Sequence, residues 1–175
     1  MQLPSVDDLP ILVEIASESD RGAAVIAAGF LDAKLSEAIK ACLRDDKDTS
    51  NKLLKATGPL GPFGSRIELA YLLRLFRKET RDDLLLISKI RNEFAHKHKP
   101  MNFGSREILK MCEDLGIIKR VWGFISPEPP VNERPLTRET ARSEYLESVS
   151  IALNFLHHQA RHPKYREHAE ELLPY

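Results

Sequence analysis

With only two cysteines in 175 residues, Cys42 and Cys112, the chain has no disulfide framework to hold a small core together. Both fall in segments of helical period, where a free cysteine behaves as a small apolar side chain. Charge of one sign is missing too, since 26 basic residues are matched by 26 acidic ones. A dedicated reader of duplex DNA gathers lysine and arginine to displace counterions from phosphates, so this balance argues against direct DNA binding. No apolar run approaches the roughly 18 residues that suggest a membrane span. The opening MQLPSVDDLPILVEIASESD carries acids where a secretory leader carries bases. A cytoplasmic protein without membrane contact is the expectation. Neither a G-x-x-x-x-G-K loop, a G-x-G-x-x-G turn nor a G-x-S-x-G elbow occurs, which removes the common nucleotide sites and the serine-hydrolase elbow, and no cofactor is expected.

Hydrophobic residues at 42% and charged residues at 30% are those of an ordinary globular protein, and the length suits a single domain over 1–175. The spacing of Leu31, Leu35, Ala38, Ile39 and Cys42 predicts a long helix from Asp20 to Arg44. Its first half is apolar nearly all round and rich in Ala23, Ala24, Ala27, Ala28 and Gly29, so it is expected to be deeply buried or packed on a second subunit. A short helix follows a cap at Thr49 or Ser50, and TGPLGPFGS then punctuates the chain. Ser65 is placed to cap RIELAYLLRLF, and Thr80 with two aspartates to open a helix closing at Pro100. Ser105 and Gly116 bracket another. IIKRVWGFI, 117–125, is β-branched and aromatic and reads as a short extended segment, SPEPPVNERPLT, 126–137, as a proline-rich loop. Two helices complete the chain, the last behind Pro163. The fold class is all-α, a bundle of about seven helices.

The sharpest cluster of polar residues is ISKIRNEFAHKHKP, 87–100. At about 100° per residue Leu86, Ile87, Ile90 and Phe94 share one face of a helix, while Ser88, Asn92 and His96 stack along another. Arg91, Asn92 and His96 form R-N-x-x-x-H. Transesterification of RNA needs a base for the 2′-hydroxyl proton and donors for the phosphate, tasks that suit histidine and arginine. The plainer alternative is a polar helix end in which Asn92 and His96 satisfy the last turn. Lys89, Arg91, Lys97 and Lys99 against Glu93 make a basic run that is either an anion site or a solvated helix end. His158 and His162 stand four apart, the spacing for two imidazoles on one metal ion, but no third ligand is evident and no metal is expected.

The block PLGPFGSRIELAYLLRLFRKETRDDLLLISKIRNEFAH, 59–96, resembles the mannitol operon repressor family, the MtlR-like proteins. The likeness rests on the PLG turn, Arg66 opening RIELAY, the aliphatic helix with acids at its start, and the Arg91 to His96 ending. It extends more weakly through GFLDAKLSEAIKACL and FGSREILKMC, and does not reach past Pro127. It implies an all-helical regulator of sugar-alcohol uptake genes that acts through a protein or transcription-factor partner rather than by reading bases. IRNEFAH also resembles the R-N-x-x-x-H signature of HEPN domains, helical modules that often cleave RNA without metal or serve as toxins. That second resemblance implies a homodimer whose motif helices face each other, with Arg91 at phosphate, Asn92 in support and His96 as acid or base. With Lys89 of the basic run and His98 of the same polar segment, the candidate binding residues are Arg66, Lys89, Arg91, His96 and His98, and RNA is a further candidate ligand.

Overall fold

The computed structural model describes residues 14–97, 99–125 and 136–161, with side chains as far as 121 and 157 in the last two stretches. Seven helices run through them: α1 (Asp20–Lys40), α2 (Lys47–Leu54), α3 (Phe63–Leu72), α4 (Lys78–His96), α5 (Arg106–Glu113), α6 (Ile117–Ile125) and α7 (Arg138–Arg161). The described residues hold no strand. His98, His162, most of the proline-rich loop and the segment after Pro163 fall outside them, as does the side chain of His158.

α1 is the axis of the bundle, with α7, α4 and α3 packed around it. Ala23, Ala24, Ala27 and Ala28 are buried within the chain itself, because small side chains let neighbouring helices approach closely. Ser19 caps its start, accepting from Gly22 N at 3.1 Å. The helix stops at Lys40 rather than Arg44, where Cys42 N and Leu43 N reach back only three residues, to Ile39 and Lys40 carbonyls.

Several element ends differ from expectation for identifiable reasons. The cap of α2 is Asp46, not Thr49 or Ser50: its carboxylate accepts from Thr49 N at 2.9 Å and Thr49 Oγ1 at 2.8 Å. α3 starts at Phe63 behind Pro62, so Ser65 lies inside it. α4 starts at Lys78, and Thr80 and Asp83 are buried in its body. The largest correction concerns 117–125, which is the helix α6 and not an extended segment. Asp83 on α4 accepts from Gly116 N at 2.8 Å and pairs with Arg120, so a neighbouring helix supplies the missing cap. Packing on α7 and α4 then outweighs the modest helix cost of the β-branched residues.

The C-terminal end of α3 turns on a non-glycine residue in the left-handed region, Arg74, at φ 57°. Leu75 N donates to Ala70 O at 3.0 Å and Arg74 N to Tyr71 O at 2.9 Å, the paired closing bonds of a Schellman motif. Two charged clamps hold the helices in register. Arg66 donates to Asp32 on α1 at 2.7 Å, to Leu54 O at 2.6 Å and to Leu60 O at 2.7 Å. Asp20 accepts from Phe103 N at 3.0 Å, Arg138 at 2.8 Å and Arg142 at 3.0 Å, tying the start of α1 to α7 and to the turn before α5.

Candidate partner-binding surface

The polar motif occupies the last turns of α4. Thr80, Asp83, Leu84, Ile87, Ser88, Ile90 and Phe94 form its buried face. Leu86, read with that stripe, is only half-buried, and Ser88 turns inward rather than standing with Asn92 and His96. A step of four residues advances a helix by about 400°, so a column drifts some 40° per step, enough to carry Ser88 under the core while Asn92 clears it.

Lys89, Asn92 and His96 are exposed, and Arg91 is half-buried at the margin. Arg91 Nη1 donates to Asn92 Oδ1 at 2.9 Å, so the amide oxygen of Asn92 engages the guanidinium. Neither Asn92 nor His96 closes the helix: the cap is Lys97, whose N–H reaches Glu93 O. Among the described residues the imidazole of His96 and the ammonium of Lys89 carry no hydrogen bond or ion pair. They are available to a ligand.

The basic run is less basic than its sequence suggests. Lys97 pairs with Glu93 at 2.7 Å and with Glu107 on α5. The bonds from Glu107 and then Glu93 hold the ammonium above its ordinary range, and the Glu107 carboxyl is lowered by the same contact. The backbone of this end is fastened by Arg21 on α1, whose Nη2 donates to Lys97 O at 2.8 Å and Lys99 O at 3.2 Å. Neither Glu107 nor Arg21 carries a local sequence signal, as both meet the motif only through the fold.

Behind the surface lies an aromatic chain. Phe94 and Phe103 rings stand 5.0 Å apart, Phe103 and Tyr145 rings 5.3 Å, spacings at which tilted ring pairs attract. Tyr145 is buried and donates to Ala24 O at 2.9 Å, and burial pushes its phenol well above the ordinary range. Cys112 in the same core has its thiol pushed up to about 12 by burial, so it is a packed apolar group and not a nucleophile.

Arg66 sits apart in kind from this surface. It is buried, and each of its three nitrogens is spent on a partner inside the fold. Among the described residues no group of three or more His, Cys, Asp or Glu could hold a metal ion. No described helix is long and apolar enough to cross a membrane.

No protein-family model matches the chain, and no curated protein matches it either. Among solved structures, a chain in the X-ray structure of the MtlR–HPr complex from Escherichia coli is similar, with a TM-score of 0.64 and 20% identity. The match covers 85% of this chain and 97% of that one. The likeness is one of fold. At this identity it extends to helix order and packing, and it spans nearly the whole of the matched chain.

Proposed function

We propose that the chain is a regulatory binding protein of the mannitol-operon-repressor type, which controls transcription by holding a protein partner of the HPr class. The supporting observation is the fold likeness over 85% of the chain to a chain solved in a complex with HPr. The resemblance of residues 59–96 to MtlR-like proteins points the same way. The balanced charge disfavours direct base reading. In this reading the exposed side of α4, with Lys89, Asn92 and His96, is the contact surface, the protein is a homodimer, and it works in the cytoplasm. The test is calorimetric titration of the full chain with purified HPr of Escherichia coli and of the chain's own source, beside an operator gel shift. Saturable HPr binding without a DNA shift is expected. No heat with either HPr ends the proposal.

A second reading uses the same residues as a metal-independent ribonuclease, with Arg91 at phosphate, Asn92 holding Arg91 and His96 as acid or base. Its support is that Asn92 and His96 stand exposed while Arg91 is oriented against Asn92. Cleavage of RNA in EDTA, lost in both Arg91→Ala and His96→Ala with the fold intact, is the expected result. Equal cleavage by wild type and variants means a contaminant and removes this reading.

A further inference from the structure

The residues proposed for contact on α4, Lys89, Asn92 and His96, are all polar. They can form hydrogen bonds and ion pairs, but a specific protein interface closes on an apolar centre and keeps such groups at its rim. The chain has to supply an apolar anchor near them. Among the described residues one large apolar side chain is exposed, Leu72, with 75% of its surface accessible. It ends α3. Leu69, three residues earlier and so its neighbour on the helix surface, is only half-buried.

A single exposed leucine is common and says little by itself. Two residues further on stands Arg74, the non-glycine residue at φ 57°, where glycine would close the helix without strain. Its side chain is exposed, and among the described residues its guanidinium carries no hydrogen bond or ion pair. Around it Lys78 pairs with Asp82, and Arg81 with Asp82 and Glu68, so Arg74 keeps its charge unmatched. The fold alone would favour a polar residue at 72 and glycine at 74. The chain has neither, and two such costs at one corner point to a site shaped for something outside it.

This corner adjoins the start of α4. Arg81 lies 4.8 Å from the Tyr71 ring centroid, joining the last turn of α3 to the first turns of α4. From there Lys78, Asp82, Leu85, Lys89, Asn92 and His96 follow one another in steps of three or four residues along the outer side of α4. Leu85, half-buried, is the apolar link in that line. Lys78 and Lys89 are about 16 Å apart along the helix axis. An interface that buries about 800 Å² on each partner is roughly 30 Å across, so one partner can cover both.

We infer that Leu72 and Arg74 are the anchor of the HPr-class contact. Leu72 enters an apolar pocket of the partner and Arg74 pairs with a carboxylate at the rim of that pocket, while Lys89 and His96 lie at the outer edge. The inference rests on the proposed function and moves the centre of its contact from the end of α4 to the corner of α3 and α4.

Calorimetric titration of the full chain with purified HPr of Escherichia coli and of the chain's own source tests it, with thermal unfolding of every variant alongside. Leu72→Ser is expected to weaken binding at least tenfold, and Leu72→Met to stay within twofold of wild type. Arg74→Gly is expected to weaken binding at least threefold while raising the unfolding midpoint. Affinity and stability then move in opposite directions, which a residue serving the fold alone would not produce. Arg74→Asn, which also suits the left-handed region, is the second variant at that position and is expected to behave likewise. No binding by the wild type ends the proposed function and this inference with it. Wild-type binding that either Leu72→Ser or Arg74→Gly leaves within twofold overturns this inference alone.

Discussion

Arg66 and Asp32, 34 residues apart, meet at 2.7 Å, and the same guanidinium closes on the carbonyls of Leu54 and Leu60. One side chain thus joins α1, the end of α2, the glycine-proline turn and α3. Removing it leaves a carboxylate and two carbonyls without their donor. Arg66→Ala is expected to lower unfolding stability by about 3 kcal/mol. Arg66→Lys is expected to lose about 2 kcal/mol, since one ammonium cannot span a fork's three directions. Urea unfolding at neutral pH measures both. A change within error for Arg66→Ala would show that the clamp is dispensable.

Arg74 predicts the opposite sign. Its αL backbone is strained for any residue with a Cβ, and its side chain is exposed. Arg74→Gly is expected to gain about 1 kcal/mol, because the Schellman closure needs only backbone groups. Thermal unfolding reads this as a higher midpoint. A lower midpoint would mean that the arginine side chain contributes more than the turn costs.

Ser148 offers a second stabilising change. It is fully buried in α7, and among the described residues its hydroxyl has no hydrogen-bond partner. Ser148→Ala relieves an unsatisfied group and improves helix propensity, together about 1–2 kcal/mol. A destabilised variant would argue that the hydroxyl is satisfied in solution.

Acid stability turns on Asp20. Burial pushes its carboxyl up, but the bonds from Arg138, Phe103 N–H and Arg142 together outweigh burial and hold it below its ordinary 3.8. A carboxyl lowered in the folded state stabilises the protein above its unfolded value, and that contribution fades as the pH falls through the folded value. The stability difference between wild type and Asp20→Asn is therefore expected to be full at neutral pH and to shrink below about pH 4. Chemical unfolding from pH 7 to pH 2 follows it. A difference that stays constant across this range would sever Asp20 from the acid response.

Lys89→Glu and His96→Ala are expected to leave unfolding stability within about 0.5 kcal/mol of wild type, as exposed substitutions do. Both are expected to weaken HPr binding at least fivefold, because they reverse or remove groups on the proposed contact surface. Titration of the two variants against HPr supplies the measurement. Unchanged affinity in both moves the contact off α4.

The helical class and the positions of α1, α4 and α7 are legible in the sequence because each has an apolar period that its own neighbours in the chain set. Leu31, Leu35 and Ile39 mark α1, and Ile87, Ile90 and Phe94 mark α4. What could not be read depends on partners distant in sequence. Helix α6 is capped by Asp83, 33 residues before Gly116, and without that carboxylate its β-branched start reads as extended. The exposed placement of Asn92 and His96 was legible from the period, whereas the neutralisation of Lys97 by Glu107 was not, since Glu107 meets it only once α5 docks. Arg66 stood out by resemblance, but its work inside the fold becomes visible only when Asp32 and the two carbonyls surround it.

The fastening of the α4 end has a thermodynamic consequence. Arg21 holds the backbone at Lys97 and Lys99, Lys97 is held between Glu93 and Glu107, and Phe94 is wedged on Phe103 beneath them. A partner arriving there meets a platform with little freedom left to lose, so the ordering entropy was spent when the chain folded. Association at such a platform carries the heat-capacity change of the apolar area it covers and no added contribution from local folding.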